Sequence, residues 1–169
     1  MSALVDFQIQ ELARESGLIT PFNADQINPA SYDVTLGDEI LVENYSYLGK
    51  RWQPVNIKEK RFCLQPGEFI LAVTAEFVNI PVNIEAEFCL KSSRGREGYQ
   101  HALAAYIDPG FSGRITLELK NYSRYHQLEL IPGMRIGQLR FTKLDTVPKK
   151  PYHLTGRYHG DTSVQASKG

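Results

Sequence analysis

A chain of 169 residues, 42% of them hydrophobic, can bury one sizeable core and has the usual size of a single domain. Nineteen Lys and Arg balance nineteen Asp and Glu, which excludes the strongly basic surface that a nucleic-acid polymer demands and leaves any anionic ligand to local clusters. Two cysteines, Cys63 and Cys89, are too few for a disulfide framework and form no CxxC pair, the N-terminus lacks a basic start followed by an apolar run, and no window has the length of a membrane span, so a cytoplasmic chain without membrane contact is expected.

Val5, Ile9, Leu12 and Ala13 recur at spacings of three and four within the first sixteen residues, predicting one short amphipathic helix that Gly17 ends. From Ser31 the pattern changes to short runs of Val, Ile, Phe and Tyr, punctuated by Gly, Pro and Asn at intervals of about ten residues. Strands are predicted at 31–37, 39–45, 69–80, 85–91, 114–121 and 135–144, with turns at Gln65-Pro66-Gly67, Asp108-Pro109-Gly110 and Ile131-Pro132-Gly133. This rhythm gives an all-β fold with one short N-terminal helix, a sandwich or barrel of antiparallel strands on short connections. Residues 1–145 then form a single β domain, while 146–169, polar and rich in loop formers, are a C-terminal tail that is either disordered or a lid. Edge strands need cover, and closed assembly of identical chains is a common way to cover them, although periodicity fixes neither the number of subunits nor the shared surface.

Three segments carry residues suited to chemistry. Lys91-Ser92-Ser93-Arg94-Gly95-Arg96 follows a predicted strand and combines two hydroxyls, three cations and a glycine within six positions. It is either a phosphate cradle or a solvated basic turn, since the strand, GxxxxGKS/T and helix order of a P-loop is missing. In 115–121, Ile115, Leu117 and Leu119 alternate with Thr116, Glu118 and Lys120, which sets the carboxylate of Glu118 in mid-strand on the polar face. There it either meets solvent or, in a pocket, takes a proton from water and returns it to a leaving group. In HALAAYIDPGFSG, at 101–113, Ala102, Ala104 and Ala105 leave room for a flat ligand, and Asp108 either accepts from a sugar hydroxyl or belongs to an ordinary β-turn. His101, His126, His153 and His159 have no metal-ligand spacing, and HExxH, HxE and PCxxC elements do not occur, so neither zinc nor another protein-bound metal is expected.

Five segments in one order, INPASYDVTLG at 27–37, LKSSRGREG at 90–98, HALAAYIDPGFSGRITLELKN at 101–121, PGMRIGQLRF at 132–141 and GRYHGDTS at 156–163, resemble the dCTP deaminase family. The IDPGFSGRITLEL run after an SSxxR element is the most specific part. The resemblance implies a homotrimer of a dUTPase-like fold, a distorted β-barrel or jelly roll, with active sites at subunit interfaces. It implies that Glu118 activates water for attack at cytosine C4, supported by Ser92 and Arg96, with no zinc and no covalent cofactor. Ala104 then lies near the water and base, Asp108 at the deoxyribose, and Thr116, Leu117 and Glu118 beside the pyrimidine. Phosphates meet Lys91, Ser92, Ser93, Arg94, Gly95 and Arg96. The tail adds Tyr152, Arg157 and Asp161, and a magnesium ion accompanies the triphosphate.

The implied function is deamination of a deoxycytidine nucleotide in pyrimidine deoxynucleotide metabolism, with dCTP giving dUTP and ammonia as the principal reading. A bifunctional dCTP deaminase and dUTPase is an alternative, because Asp108 lies where dUTPases activate water. A dCMP-type deaminase, one acting on a modified cytosine nucleotide, and a non-catalytic nucleotide-binding regulatory trimer are others. Phe111 in place of the Tyr of dUTPases, and a tail without their Gly-rich motif, weigh against a pure dUTPase. The chain departs from the family pattern at Lys91, where Arg is usual, at Arg94-Gly95, at Arg157, where Lys is usual, and at Asp161, where Gln is usual. A carboxylate beside phosphates is unfavourable unless a cation intervenes.

Overall fold

The computed structural model describes residues 1–43, 51–102 and 104–169. In chain order its elements are β1 (Ser2–Ala3), α1 (Asp6–Ser16), β2 (Ile19–Thr20), β3 (Ile27–Asn28), β4 (Ser31–Glu43), β5 (Trp52–Asn56), β6 (Phe62–Leu64), β7 (Phe69–Asn79) and β8 (Ile84–Leu90). Then follow α2 (Ser92–Glu97), β9 (Tyr99–His101), β10 (Tyr106–Ile107), β11 (Ser112–Asn121), β12 (Leu128–Leu130), β13 (Arg135–Lys143) and α3 (Tyr152–Thr155). Among the described residues no helix is long and apolar enough to cross a membrane.

The predicted helix is α1. The side chain of Gln8 reaches back to accept from the Val5 N–H at 3.1 Å, and Gly17 ends the helix at a φ of 65°, a left-handed conformation that costs glycine little. Ile9 and Ala13 face the core, but Val5 is exposed at the cap and Leu4 takes the buried place beside them. The helix is not alone: the segment read as a cradle or turn at 92–97 folds as the six-residue α2.

All strand pairs are antiparallel, as the short connections predict. The main path runs β10, β8, β13, β4, β7, β11 and β9 in one curled sheet, and β6 pairs with β12 separately. Strand β4 joins the two halves. It was expected as two strands, 31–37 and 39–45, but is continuous over Ser31–Glu43, and residues 44 and 45 lie outside the described residues. Its first half pairs with β13 (Val34 with Gly137) and its second with β5 and β7 (Ile40 with Val55 and Ala72), the register shifting between Leu36 and Ile40. Gly37 therefore marks a crossing and not a break: a Cβ there would lie 2.5 Å from a terminal nitrogen of Arg114 and 2.9 Å from the Val73 carbonyl. The short strands β1, β2, β3, β5, β6, β9, β10 and β12 are not predicted, since two to five residues carry no readable period and Pro54 argues against β5.

The three predicted Pro-Gly turns share one geometry. Glu68, Phe111 and Met134 donate their N–H groups to the carbonyls of Gln65, Asp108 and Ile131 at 3.0, 3.1 and 3.1 Å, with the glycines at φ of 81°, 84° and 81°, a type II arrangement. The core between the sheet halves holds Tyr32, Leu36, Ile40, Ile70, Leu117, Leu119, Leu139 and Phe141, all essentially inaccessible.

Candidate active site

Strand alternation builds the site. On β11, Ile115, Leu117 and Leu119 turn into the core, so Arg114, Thr116 and Glu118 turn to the opposite face. That face is one wall of a cavity of about 490 Å³, closed by Trp52, Phe69, Leu71 and Phe88 and by the 104–108 segment. Its volume suits a nucleoside-sized ligand, and its character, aromatic and aliphatic with a few convergent polar groups, is that of a small-molecule site. Of the residues singled out from sequence, Ala104, Asp108, Thr116, Glu118, Tyr152 and Asp161 all line it.

Sequence reasoning passes over His101, which lines the same cavity and is 8% exposed. The pairing of β9 with β11 sets Leu119 opposite His101, and the Ala102 N–H donates to the Glu118 carbonyl at 3.0 Å. His101 Nε2 lies 3.3 Å from Glu118 Oε2, yet the two do not meet in hydrogen-bonding geometry, and among the described residues each atom is buried without a partner. The His101 ring packs on Phe88, centroids 4.6 Å apart at 52°. The sequence signal was a histidine heading the HALAAYIDPGF run, but only the strand pairing brings it to Glu118. Phe69 and Phe88 are equally unmarked, because aromatic residues in strands read as core, and Trp52 falls outside every predicted strand.

The tail from Pro151 onward lies against the cavity. The Tyr152 N–H donates to the Pro109 carbonyl at 2.8 Å, Arg114 N–H to the Asp161 carbonyl at 2.8 Å, and Gln165 N–H to Thr116 Oγ1 at 3.1 Å. Tyr152 meets Phe111 edge to face at 5.5 Å between centroids, and Tyr158, Gln165 and Ser167 complete the wall. The two oxygens of Asp161 accept from Lys168 Nζ at 3.0 and 2.7 Å, and the same ammonium donates to the Arg157 carbonyl at 2.9 Å. The unfavourable carboxylate thus has its cation within the chain. Arg157 itself lies outside the Glu118 cavity, in a neighbouring cleft with Lys150 that shares Tyr106, Asp108, Tyr152 and Tyr158 with it.

The 91–96 segment is elsewhere. Lys91, Ser92, Ser93, Arg94, Gly95 and Arg96 do not line the cavity of the single chain. Arg94 donates to Glu97 at 2.7 Å and to the Arg135 carbonyl at 3.0 Å, whereas Ser92 and Arg96 are exposed. Lys91 Nζ lies 2.5 Å from Asp33, a carboxylate only 1% exposed that also accepts from Asn28 Nδ2 at 2.8 Å and faces Arg135 at 3.4 Å. Lys91 is therefore engaged as a tether below α2. Alternation buries the Leu117 side chain completely on the core face, so its backbone is the part available to a base. Among the described residues no three His, Cys, Asp or Glu side chains gather as a metal-holding group.

A family model described as dCTP deaminase-like matches residues 3–144. The chain belongs to this family. A relative from Dictyoglomus turgidum named dCTP deaminase, dUMP-forming, is 41% identical to this dCTP deaminase-like chain over 157 residues, covering 85% of this chain and 80% of the relative. The crystal structure of 2'-deoxycytidine 5'-triphosphate deaminase from Agrobacterium tumefaciens superposes with a TM-score of 0.69 at 23% identity over 83% of this chain, which spans 47% of the length of that protein. A dUTPase from the S. aureus phage phi11 superposes with a TM-score of 0.52 at 15% identity, covering 78% of this chain and 87% of its own. These structural likenesses establish the dUTPase-like fold.

Proposed function

We propose that this chain is a dCTP deaminase in which Glu118 activates the attacking water. The observation that carries the reading is the placement of Glu118, a mid-strand carboxylate turned into a cavity walled by Trp52, Phe69, Leu71 and Phe88 and with only 27% of its side chain exposed. The 41% identity to a relative named dCTP deaminase, dUMP-forming, supports the substrate. Glu118 takes one proton from water as the oxygen bonds to C4 and passes a proton to N3. The proton of the newly bound hydroxyl then reaches the 4-amino group, the C4–N bond breaks with release of ammonia, and the oxygen is left as the C4 carbonyl. dCTP and water thus become dUTP and ammonia. Among the described residues no three His, Cys, Asp or Glu side chains gather around Glu118 as a metal-holding group, and the reading assigns water activation to the carboxylate.

The name of the relatives favours a second hydrolysis, between the α and β phosphates, giving dUMP and pyrophosphate in place of dUTP as the final product. Asp108, exposed and shared by the two adjoining clefts, is the carboxylate suited to that second water. Magnesium enters with the triphosphate as part of the substrate. Asp161 is already engaged by Lys168 and Asp108 is assigned to the second water, so in this reading the phosphates themselves hold the ion. Ser92 and Arg96 do not reach the cavity within one chain, and in this reading assembly as a homotrimer supplies them from the α2 of a neighbouring copy.

The test is to incubate the protein and Glu118→Gln with dCTP, dCMP and dUTP plus magnesium, with chelator controls, and to quantify ammonia, pyrophosphate and each deoxyuridine nucleotide. Ammonia from dCTP is expected, with a loss of about 10²- to 10⁴-fold in Glu118→Gln. Appearance of dUMP with pyrophosphate establishes the coupled step, whereas accumulation of dUTP confines the enzyme to deamination. Preferred turnover of dCMP transfers the assignment to the monophosphate, and binding without product makes the chain a regulatory binder. Full activity in Glu118→Gln rules out the role of the carboxylate.

A further inference from the structure

We infer that His101 holds the attacking water together with Glu118, a proposal that rests on the deaminase reading above. His101 Nε2 and Glu118 Oε2 lie 3.3 Å apart, both buried and both without a hydrogen-bond partner among the described residues. Leaving a buried polar atom unpaired costs about 1–3 kcal/mol, so two such atoms side by side in a cavity mark a place where a third group belongs. A point about 2.8 Å from each atom forms a nearly equilateral triangle with them, so one water oxygen can touch both, at an angle of about 70° that is tighter than the tetrahedral one.

The pair is held apart by the chain itself. The Ala102 N–H bond to the Glu118 carbonyl fixes the backbones, and Phe88 fixes the imidazole by packing 4.6 Å from its centroid. Phe88 is itself 2% exposed, and its ring lies against the Gly137 backbone, where a Cβ would have no room. His101 and Glu118 thus face one another at 3.3 Å without hydrogen-bonding geometry, which leaves each of them able to bond a water.

Whichever ring nitrogen carries the proton, Nε2 offers the water one hydrogen bond. With that bond and the one to Glu118 both made, the water is fixed in orientation before C4 arrives. As the oxygen–C4 bond forms, the proton shared with Glu118 moves to the carboxylate, and His101 neither gains nor loses a proton. Its contribution is placement of the nucleophile, for which a misplacement of about 1 Å costs on the order of 10²-fold.

His101→Phe keeps a ring against Phe88 and removes the nitrogen, while His101→Gln returns a side-chain amide near the position of Nε2. Steady-state deamination of dCTP is measured for both variants, for the wild type and for Glu118→Gln, with the melting midpoint of each. The expected result is a fall of about 100-fold in kcat for His101→Phe with KM within about 3-fold, and recovery to at least about a tenth of the wild-type kcat in His101→Gln. Wild-type kcat in His101→Phe overturns the proposal. So does an equal loss in both variants, or a loss that appears in KM and the melting midpoint instead of kcat. Absence of ammonia release from the wild type strikes at the deaminase reading, whereas an active wild type with inactive Glu118→Gln and unimpaired His101→Phe strikes only at this inference.

Discussion

Removing Lys91 is expected to destabilise the protein more than removing its partner Asp33, and the reason is which of the two can reach water. Asp33 is 1% exposed, while the Lys91 side chain is 30% exposed. In Lys91→Met the carboxylate stays buried with only Asn28 at 2.8 Å and Arg135 at 3.4 Å for compensation. Breaking a buried pair in this way costs about 3–5 kcal/mol, and the two remaining contacts reduce it here to about 2–3 kcal/mol. In Asp33→Asn the ammonium turns to solvent, the Asn28 bond can be kept by the new amide oxygen, and the loss is about 1 kcal/mol. For a chain of this size each kcal/mol moves the midpoint by about 2–4 °C, so Lys91→Met should melt about 4–12 °C lower and Asp33→Asn about 2–4 °C lower. The double variant carries no stranded charge and should be more stable than Lys91→Met alone. Thermal and urea melts at one fixed protein concentration check the order, since subunit association makes the midpoint depend on concentration. An Asp33→Asn protein that is as destabilised as Lys91→Met, or a double variant no better than Lys91→Met, refutes the reasoning.

Two further outcomes follow from the same kind of accounting. Tyr99 is 3% exposed and its hydroxyl donates to the Glu129 carbonyl, and burial pushes the phenol from its ordinary value of 10.0 up to about 12. The folded state thus binds this proton more tightly than the unfolded chain does, and the associated stability is fully present below pH 10 and lost as pH rises through 12. Urea melts at intervals across that window should fall steeply for the wild type and less so for Tyr99→Phe, and parallel pH profiles of the two proteins would contradict the assignment. On the proposed reading, in which Asp161 faces the phosphates, Lys168→Met should raise the KM for dCTP by about 2- to 10-fold by leaving that carboxylate uncompensated, an effect kept modest because the ammonium is partly exposed. The same change in an Asp161→Gln background should cost much less, and equal KM increases in both backgrounds would show that the ion pair is not the cause.

Much of this molecule is legible without coordinates. The runs that become β4, β7, β8, β11 and β13, the helix ended by Gly17 and three Pro-Gly turns come directly from period and turn chemistry, because each depends on residues adjacent in the chain. The alternation of 115–120 alone puts Glu118 on the face away from the core, and it also shows that the Leu117 side chain cannot share that face. The continuity of β4 through Gly37 was not legible, since a glycine between two apolar runs reads as a break unless the close passage of Arg114 and Val73 is known.

What the sequence determined by itself is therefore the local grammar, together with the motifs that mark a dCTP deaminase-like chain and the placing of Glu118 on the polar face of its strand. What only the tertiary structure decided is which distant groups share a space. It set His101 beside Glu118 through the pairing of β9 with β11, folded Lys168 back onto Asp161, and engaged Lys91 with Asp33 while leaving Ser92 and Arg96 away from the cavity. The physical reason is one of range: periodicity and turn preference are set by neighbours within a few residues, whereas an ion pair or a shared water site is set by how strands far apart in sequence come into register.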